Sequence, residues 1–287
     1  MTSLLERTSL LRSPGYRLTS VLRDTLLLTT QIFPQLLSFS NDSIMVPLLA
    51  DLSIRLIDSG HIKMEDIIPF KTNFEEVASR FGRNIQHLEN DQTPYGWYQM
   101  IDLLGRWKDL RDIEILKSYL SSSDIYLQNY IVRKLLEIKY PVPSSTIRAL
   151  AQNMVSRNGL YDNLSELKRM DLFPKQYLSQ HSLAQATIYG VGYEDGPSTP
   201  KVTFLKKRVA IYDGKKYNFY LFKVSFKDNN EITNYLGVAG GYKLDITKMY
   251  PAAFLSDIYW EEQLDNSNTD ELFKTFIREK TESNMEE

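Results

Sequence analysis

Cysteine is absent from the 287 residues, which excludes disulfides, thiolate nucleophiles and cysteine-based zinc sites. Net charge is small, −2 at neutral pH, so whole-protein attraction to nucleic acid or an anionic membrane is not expected. No run approaches the roughly 18 consecutive apolar residues of a membrane span. The best, TLLLTTQIF from Thr25 to Phe33, is short and soon meets Pro34. The opening MTSLLERTSLLRSPGY carries Glu6, Arg7 and Arg12 where a signal peptide needs an apolar core. These absences predict a soluble chain, cytoplasmic by default, with no membrane partner. So featureless a start also fits the C-terminal part of a larger protein. Histidine is scarce too. His61, His87 and His181 show no H-x-x-x-H spacing and read as surface residues, so no metal is expected. A G-x-S-x-G nucleophile elbow is missing as well.

What is present can build a core: 43 % of residues are apolar and 12 % aromatic. The length favours two domains. Through about residue 180 the sequence reads as helix after helix, over Arg17–Phe33, Ser43–Ile57, Phe74–Phe81, Trp97–Trp107, Asp112–Leu120, Ile125–Ile138 and Ser145–Val155. Asp124 is placed to cap the Ile125 helix, because its carboxylate can accept from backbone N–H groups left unpaired at a helix start. The segment PVPSS breaks that helix.

A faint repeat runs through this region. Leu103-Leu104 and Leu135-Leu136 lie 32 residues apart, as do Ile115 and Ile147, within the period range of helical-pair repeats. The stretch DIYLQNYIVRKLLEIKYPVP, Asp124 to Pro143, has an acidic cap, a long amphipathic helix with a basic residue inside it, and a proline-bearing turn. It resembles a HEAT repeat over roughly Trp97 to Val155, about a fifth of the chain. That resemblance implies a protein–protein binding or scaffolding role. The exposed residues assigned to such a surface are Arg106, Trp107, Arg111, Tyr126 and Arg133, because arginines and aromatics are enriched at interface cores.

The character changes near Leu183. AQATIYGVGY (Ala184–Tyr193) reads as a strand, and KVTFLKKRVAIY and KYNFYLFKVSF flank Asp213-Gly214 as a hairpin. A three-residue connection, Asp213–Lys215, is favoured, setting Val209 and Ile211 on one face with Phe219 and Tyr217. Tyr220, Phe222, Val224 and Phe226 alternate and belong to one core face. ITNYLGVAGG supplies the next strand of an antiparallel meander (184–241). Helices are expected over Pro251–Leu264 and Asp270–Arg278. NYLGVAGGYKLD is the stretch most like a phosphate cradle, yet Lys243 comes two residues after Gly241 and the G-x-G-x-x-G spacing is absent. Its glycines read as a strand end with a bulge or a close backbone approach.

The expected fold is therefore α+β in two parts: an all-α, helical-repeat-like array (1–180), then a small α+β domain (181–287) with C-terminal helices (251–278). The leading function is a non-enzymatic protein-interaction or scaffold module. Its partner is another protein or other domains of a longer parent chain, and no cofactor is expected. Residues 200–248 hold ten Lys/Arg against four Asp/Glu, and 257–287 three against ten. A single-stranded nucleic-acid interface using Lys206, Lys207, Arg208 and Tyr217 is thus the less favoured alternative. A carboxylate stripe of Asp257, Glu261 and Asp265 on the Pro251 helix reads as a solvated face. A catalytic cleft at the helical–β junction would need residues such as His181, Asp195, Asp245 and Glu261 to converge.

Overall fold

The computed structural model describes residues 32–42, 45–84, 96–212, 214–228, 231–244 and 255–283. The expected Arg17–Phe33 helix lies almost wholly outside these, as does His87. The fold is α+β, and the chain divides into two compact units, Met1–Val142 and Pro143–Glu287. The division falls within the PVPSS segment, ahead of the change in composition near Leu183.

The first unit is helical: α1 (Met45–Asp58), α2 (Lys71–Asn84), α3 (Trp97–Trp107), α4 (Leu110–Ser118) and α5 (Ile125–Glu137). α1 is apolar on nearly every side and lies buried, as such a helix must. Its Asp51 carboxylate is held by Arg55 at 2.9 Å. The helices stack in two rows: α1 packs on α3 and α3 on α5, while α2 packs on α4. Their core gathers Leu49, Leu56, Phe74, Met100, Leu104, Tyr119, Ile131 and Leu135. Phe81 stacks on Trp97 at 3.7 Å, and the buried Tyr119 hydroxyl donates to the Ala78 carbonyl at 2.8 Å. Asp124 caps α5, accepting from the N–H groups of Tyr126 (2.9 Å) and Leu127 (3.1 Å). α2 is longer than the expected Phe74–Phe81, and the helix expected from Asp112 begins at Leu110.

The second unit opens with α6 (Ser144–Gln152), α7 (Arg157–Glu166) and α8 (Gln180–Asp195). Arg157 ties them together, donating to the Ala151 carbonyl (2.7 Å) and the Ser182 carbonyl (3.0 Å). The strand expected over Ala184–Tyr193 is instead the body of α8. Ser179 caps it, accepting from the Ser182 N–H at 3.1 Å. Ala184, Ile188 and Gly192 recur every four residues on its sheet-facing side, a helical period that outweighed the β-propensity of its Thr, Ile and Tyr residues.

Four antiparallel strands follow in the order β1-β2-β3-β4: β1 (Lys201–Tyr212), β2 (Lys215–Asp228), β3 (Glu231–Lys243) and β4 (Leu255–Tyr259). β1 and β2 pair with Tyr212 opposite Lys215, leaving a two-residue connection rather than three. Gly214 in that connection has φ 69°, as a primed turn requires. The register sets Val209 opposite Asn218 and Ile211 opposite Lys216. The expected grouping of Val209 and Ile211 with Phe219 and Tyr217 is therefore wrong by one residue, and a one-residue slip exchanges faces.

The sheet is covered on both sides. α8 packs over Tyr220, Phe222, Val224 and Phe226, the alternating row expected from the sequence. On the other face α9 (Thr269–Ser283) sets Leu272, Phe273 and Phe276 against Phe219, Leu221, Leu236 and Val238. The helix expected over Pro251–Leu264 is not formed across its described part: Leu255–Tyr259 pairs with β3 as β4. The three clustered glycines lie inside β3 rather than at its end. Gly241, φ 80°, is the extra residue of a bulge where the pairing steps from Asn218–Tyr242 to Phe219–Gly240. Gly240 lies directly under the Phe219 ring, so close that a Cβ there would sit 1.7 Å from Cδ1.

Candidate functional site

In the first unit, ionic side chains concentrate where α2 meets the α3–α4 turn. The sequence KDLRD places two aspartates three residues apart at a helix start, the spacing of a capping box. Asp109 accepts from the N–H groups of Arg111 (2.9 Å) and Asp112 (3.1 Å), and Asp112 accepts in return from the Asp109 N–H (3.1 Å). α2 brings Lys71 and Glu75, four residues apart and so on one face. The Lys71 ammonium bonds to Asp109, lies 2.9 Å from Asp112 and 3.5 Å from Glu75, and sits 5.5 Å from the Trp107 ring centre. Arg111 closes the group with a 3.1 Å bridge to Glu75.

The charges act on one another as their surroundings dictate. Lys71's hydrogen bond, with the Asp112 N–H, holds the exposed Asp109 carboxyl down to about 2. Burial pushes the fully enclosed Asp112 up to about 6, against the pull of Lys71. Burial alone would lower Lys71, but its bonds to Asp109 and Asp112 raise it overall, so its amine is protonated and unsuited to nucleophilic work. Oxygens of Glu75, Asp109 and Asp112 lie within 4.8 Å of one another, a spacing a divalent cation could use. Lys71 already supplies the positive charge at their centre. This arrangement fastens α2 to the α3–α4 turn.

Beside it is an open depression of about 330 Å³, lined by Glu76, Ser79, Arg80 and Arg111. Of the residues assigned to a partner surface, Arg106, Trp107 and Arg111 thus gather at the α3–α4 turn. Arg106 forms a two-pronged bridge to Asp58 (2.6 and 3.0 Å), and Trp107 is half-buried edge-on to Phe74. Tyr126 and Arg133 belong to α5, seven residues apart and so on one face; Arg133 pairs with Glu137 at 2.9 Å. Arg80, Lys71 and Glu75 escaped the sequence reading. The K-x-x-x-E spacing was visible, but not that it would meet a capping box 38 residues on.

In the second unit the basic residues divide between two faces. Lys206 (2.7 Å) and Arg208 (2.8 Å) both bind Asp270 at the start of α9. Lys207 points to the α8 side, over the Tyr220 ring. Tyr217 packs against the α9-side core, and Phe219, Tyr220 and Phe222 are buried, so these rings do not form the exposed stacking platform that single strands use. His181 is not a plain surface residue: its ring lies against Phe222 and edge-on to Phe204, and burial lowers its pKa. His181 and Asp195 stand at opposite ends of α8, roughly 20 Å apart by helical rise. Asp245 lies outside the described residues. The expected carboxylate stripe is not formed. Asp257 bridges to Lys280 from β4 (2.7 Å), and Asp265 caps the turn before α9, accepting from Ser267 (2.6 Å) and Asn268 (3.0 Å). Among the described residues no helix is long and apolar enough to cross a membrane.

No protein-family model matches this chain, and no curated protein or solved structure is significantly similar to it.

Proposed function

We propose that this protein is a non-enzymatic protein-binding module whose first unit is a HEAT-like helical array. The observation that carries this reading is the two-row stacking, α1–α3–α5 beside α2–α4. Helices stacked in register with their next-but-one neighbours bury their apolar stripes against one another and leave the outer row as a continuous polar surface. Binding would fall on the α2–α4 row, where Arg80 and Arg111 rim the depression with Ser79 and Glu76 between them. Paired guanidinium groups suit a carboxylate-bearing protein segment, which they can grip two-pronged. Fold analogy supplies the prior here, and the row's chemistry supplies the site.

The test uses the full chain as bait in nuclease-treated native lysate, with bound proteins identified by mass spectrometry at physiological and then raised salt. A defined protein partner should be retained, and lost on Arg80→Glu, an exposed position outside the ionic cluster, while the helical content by circular dichroism is unchanged. Retention of nothing, or only of material that nuclease removes, would overturn the reading.

A further inference from the structure

The second unit carries an interaction surface that the helical reading does not use. β1 is the end strand of the sheet. Over Lys206–Ile211 it pairs on one side with β2, and among the described residues its other side has no strand. Large apolar side chains lie open along it: Phe204 41 %, Leu205 37 %, Val209 54 % and Ile211 61 % exposed. An edge of this length with open apolar side chains is the template on which another strand adds.

The charge on the hairpin decides what can add. From Lys201 to Lys216 it holds Lys201, Lys206, Lys207, Arg208, Lys215 and Lys216 against one acid, Asp213. A second copy would bring the same cations to the same place, since a two-fold interface sets identical patches face to face. The bulge at Leu205, where the pairing steps from Phe204 to Lys206, further blunts self-pairing. An anionic partner meets attraction instead. Asp270 already shows the mode, accepting from both Lys206 and Arg208 on the α9 side. On the α8 side, Lys207 and Lys216 share their face with Val209 and Ile211. Along β1 that face runs Lys207, Val209, Ile211, one charge followed by two open apolar side chains, while Lys206 and Arg208 lie on the α9 side.

We propose that β1 binds an extended acidic peptide with alternating apolar residues, which adds as a fifth strand along Lys206–Ile211. Backbone pairing would supply a sequence-independent part of the affinity. Because successive side chains of a strand point to opposite faces, the peptide's apolar side chains would cover Val209 and Ile211 on the α8 side, and its carboxylates would lie on the α9 side beside Lys206 and Arg208.

The probe is a fluorescein-labelled nine-residue peptide of alternating glutamate and valine, titrated into the full chain by fluorescence anisotropy. Alternating lysine–valine and glutamate–serine peptides and a labelled oligothymidylate serve as comparisons. The glutamate–valine peptide should bind at least about tenfold tighter than each of the three. Binding should weaken about tenfold or more in Val209→Glu with Ile211→Glu, both exposed positions that leave the core intact. On the unaltered protein, the peptide should slow amide exchange over Lys206–Ile211, and N-methylation of its alternate amides should abolish binding. Equal binding of the lysine–valine peptide, tighter binding of the oligothymidylate, or indifference to N-methylation would each overturn the proposal. A null result here leaves the helical array reading standing, because that reading uses only the first unit.

Discussion

The Gly240–Phe219 contact allows the sharpest stability forecast. Gly240→Ala would put a methyl carbon 1.7, 2.2 and 2.6 Å from Phe219 Cδ1, Cε1 and Cγ, well inside contact distance. The ring has little room to retreat, because Phe219 is fully buried and packs edge-on to Phe273 of α9 at 5.6 Å. A local shift of β3 would cost about 1–3 kcal/mol as overpacking. Expelling the ring would cost about 3–5 kcal/mol, as for a large-to-small change at a buried phenylalanine. The expected loss is thus about 2–4 kcal/mol, or about 7–13 °C in the melting of a unit of this size. Calorimetry on four proteins measures it: the parent, Gly240→Ala, Phe219→Leu and the double variant. Removing the ring makes room for the methyl, so the double variant should be more stable than the sum of the single losses predicts by about 1 kcal/mol or more. A neutral Gly240→Ala, or additive losses, would refute the reasoning. Gly190 is the control. It lies within α8 with nothing within 4 Å of its added Cβ, and Gly190→Ala should stabilise by about 0.5–1 kcal/mol because alanine restricts the unfolded chain.

Two further predictions concern the first unit. Asp124→Ala should cost about 1–2 kcal/mol in urea unfolding, since a fully buried cap bonding two N–H groups is lost; a change under about 0.3 kcal/mol would remove Asp124 from that role. Asp112, held at about 6 when folded against an ordinary carboxyl value of 3.8, binds its proton more tightly in the folded state. Folding therefore loses stability as pH rises from about 4 to about 6, by up to about 3 kcal/mol for a two-unit shift. Asp109 has the opposite sign, its contribution fading as pH falls from about 4 toward 2. Asp112→Asn should flatten the fall between pH 4 and 6 in a pH series of urea unfolding, and an unchanged slope would contradict the assignment.

Much of the helical half was readable from the sequence. Its periodicity is local, and caps such as Asp124 act within three residues. The alternation of Tyr220, Phe222, Val224 and Phe226 was equally legible, because a strand with one face on a helix imposes a period of two wherever it lies. The α8 segment shows where this fails. Its Thr, Ile and Tyr residues favour a strand by composition and its glycines disfavour a helix, and packing of Ala184, Ile188 and Gly192 on the sheet selects the helix. β4 failed for a related reason: five residues carry no decisive period, and it is β3's unpaired edge that makes them a strand. Register was beyond reach as well, since one residue in the Asp213-Gly214 connection decides whether Val209 and Ile211 share a face with Tyr217 and Phe219. The candidate sites were least legible. Lys71 and Asp109 are 38 residues apart and Arg208 and Asp270 are 62 apart, so neither pairing leaves a local signal.

The sequence by itself determined the two-part α+β character, most helix positions and the alternating core face of β2. Each depends on residues within about a turn or a strand of one another. Tertiary structure alone decided which acids the cations meet, Asp270, Glu75 and Asp112 among them, and which apolar side chains stay open on β1. Exposure and ion pairing are properties of what the chain brings together, and that is settled only when distant segments meet.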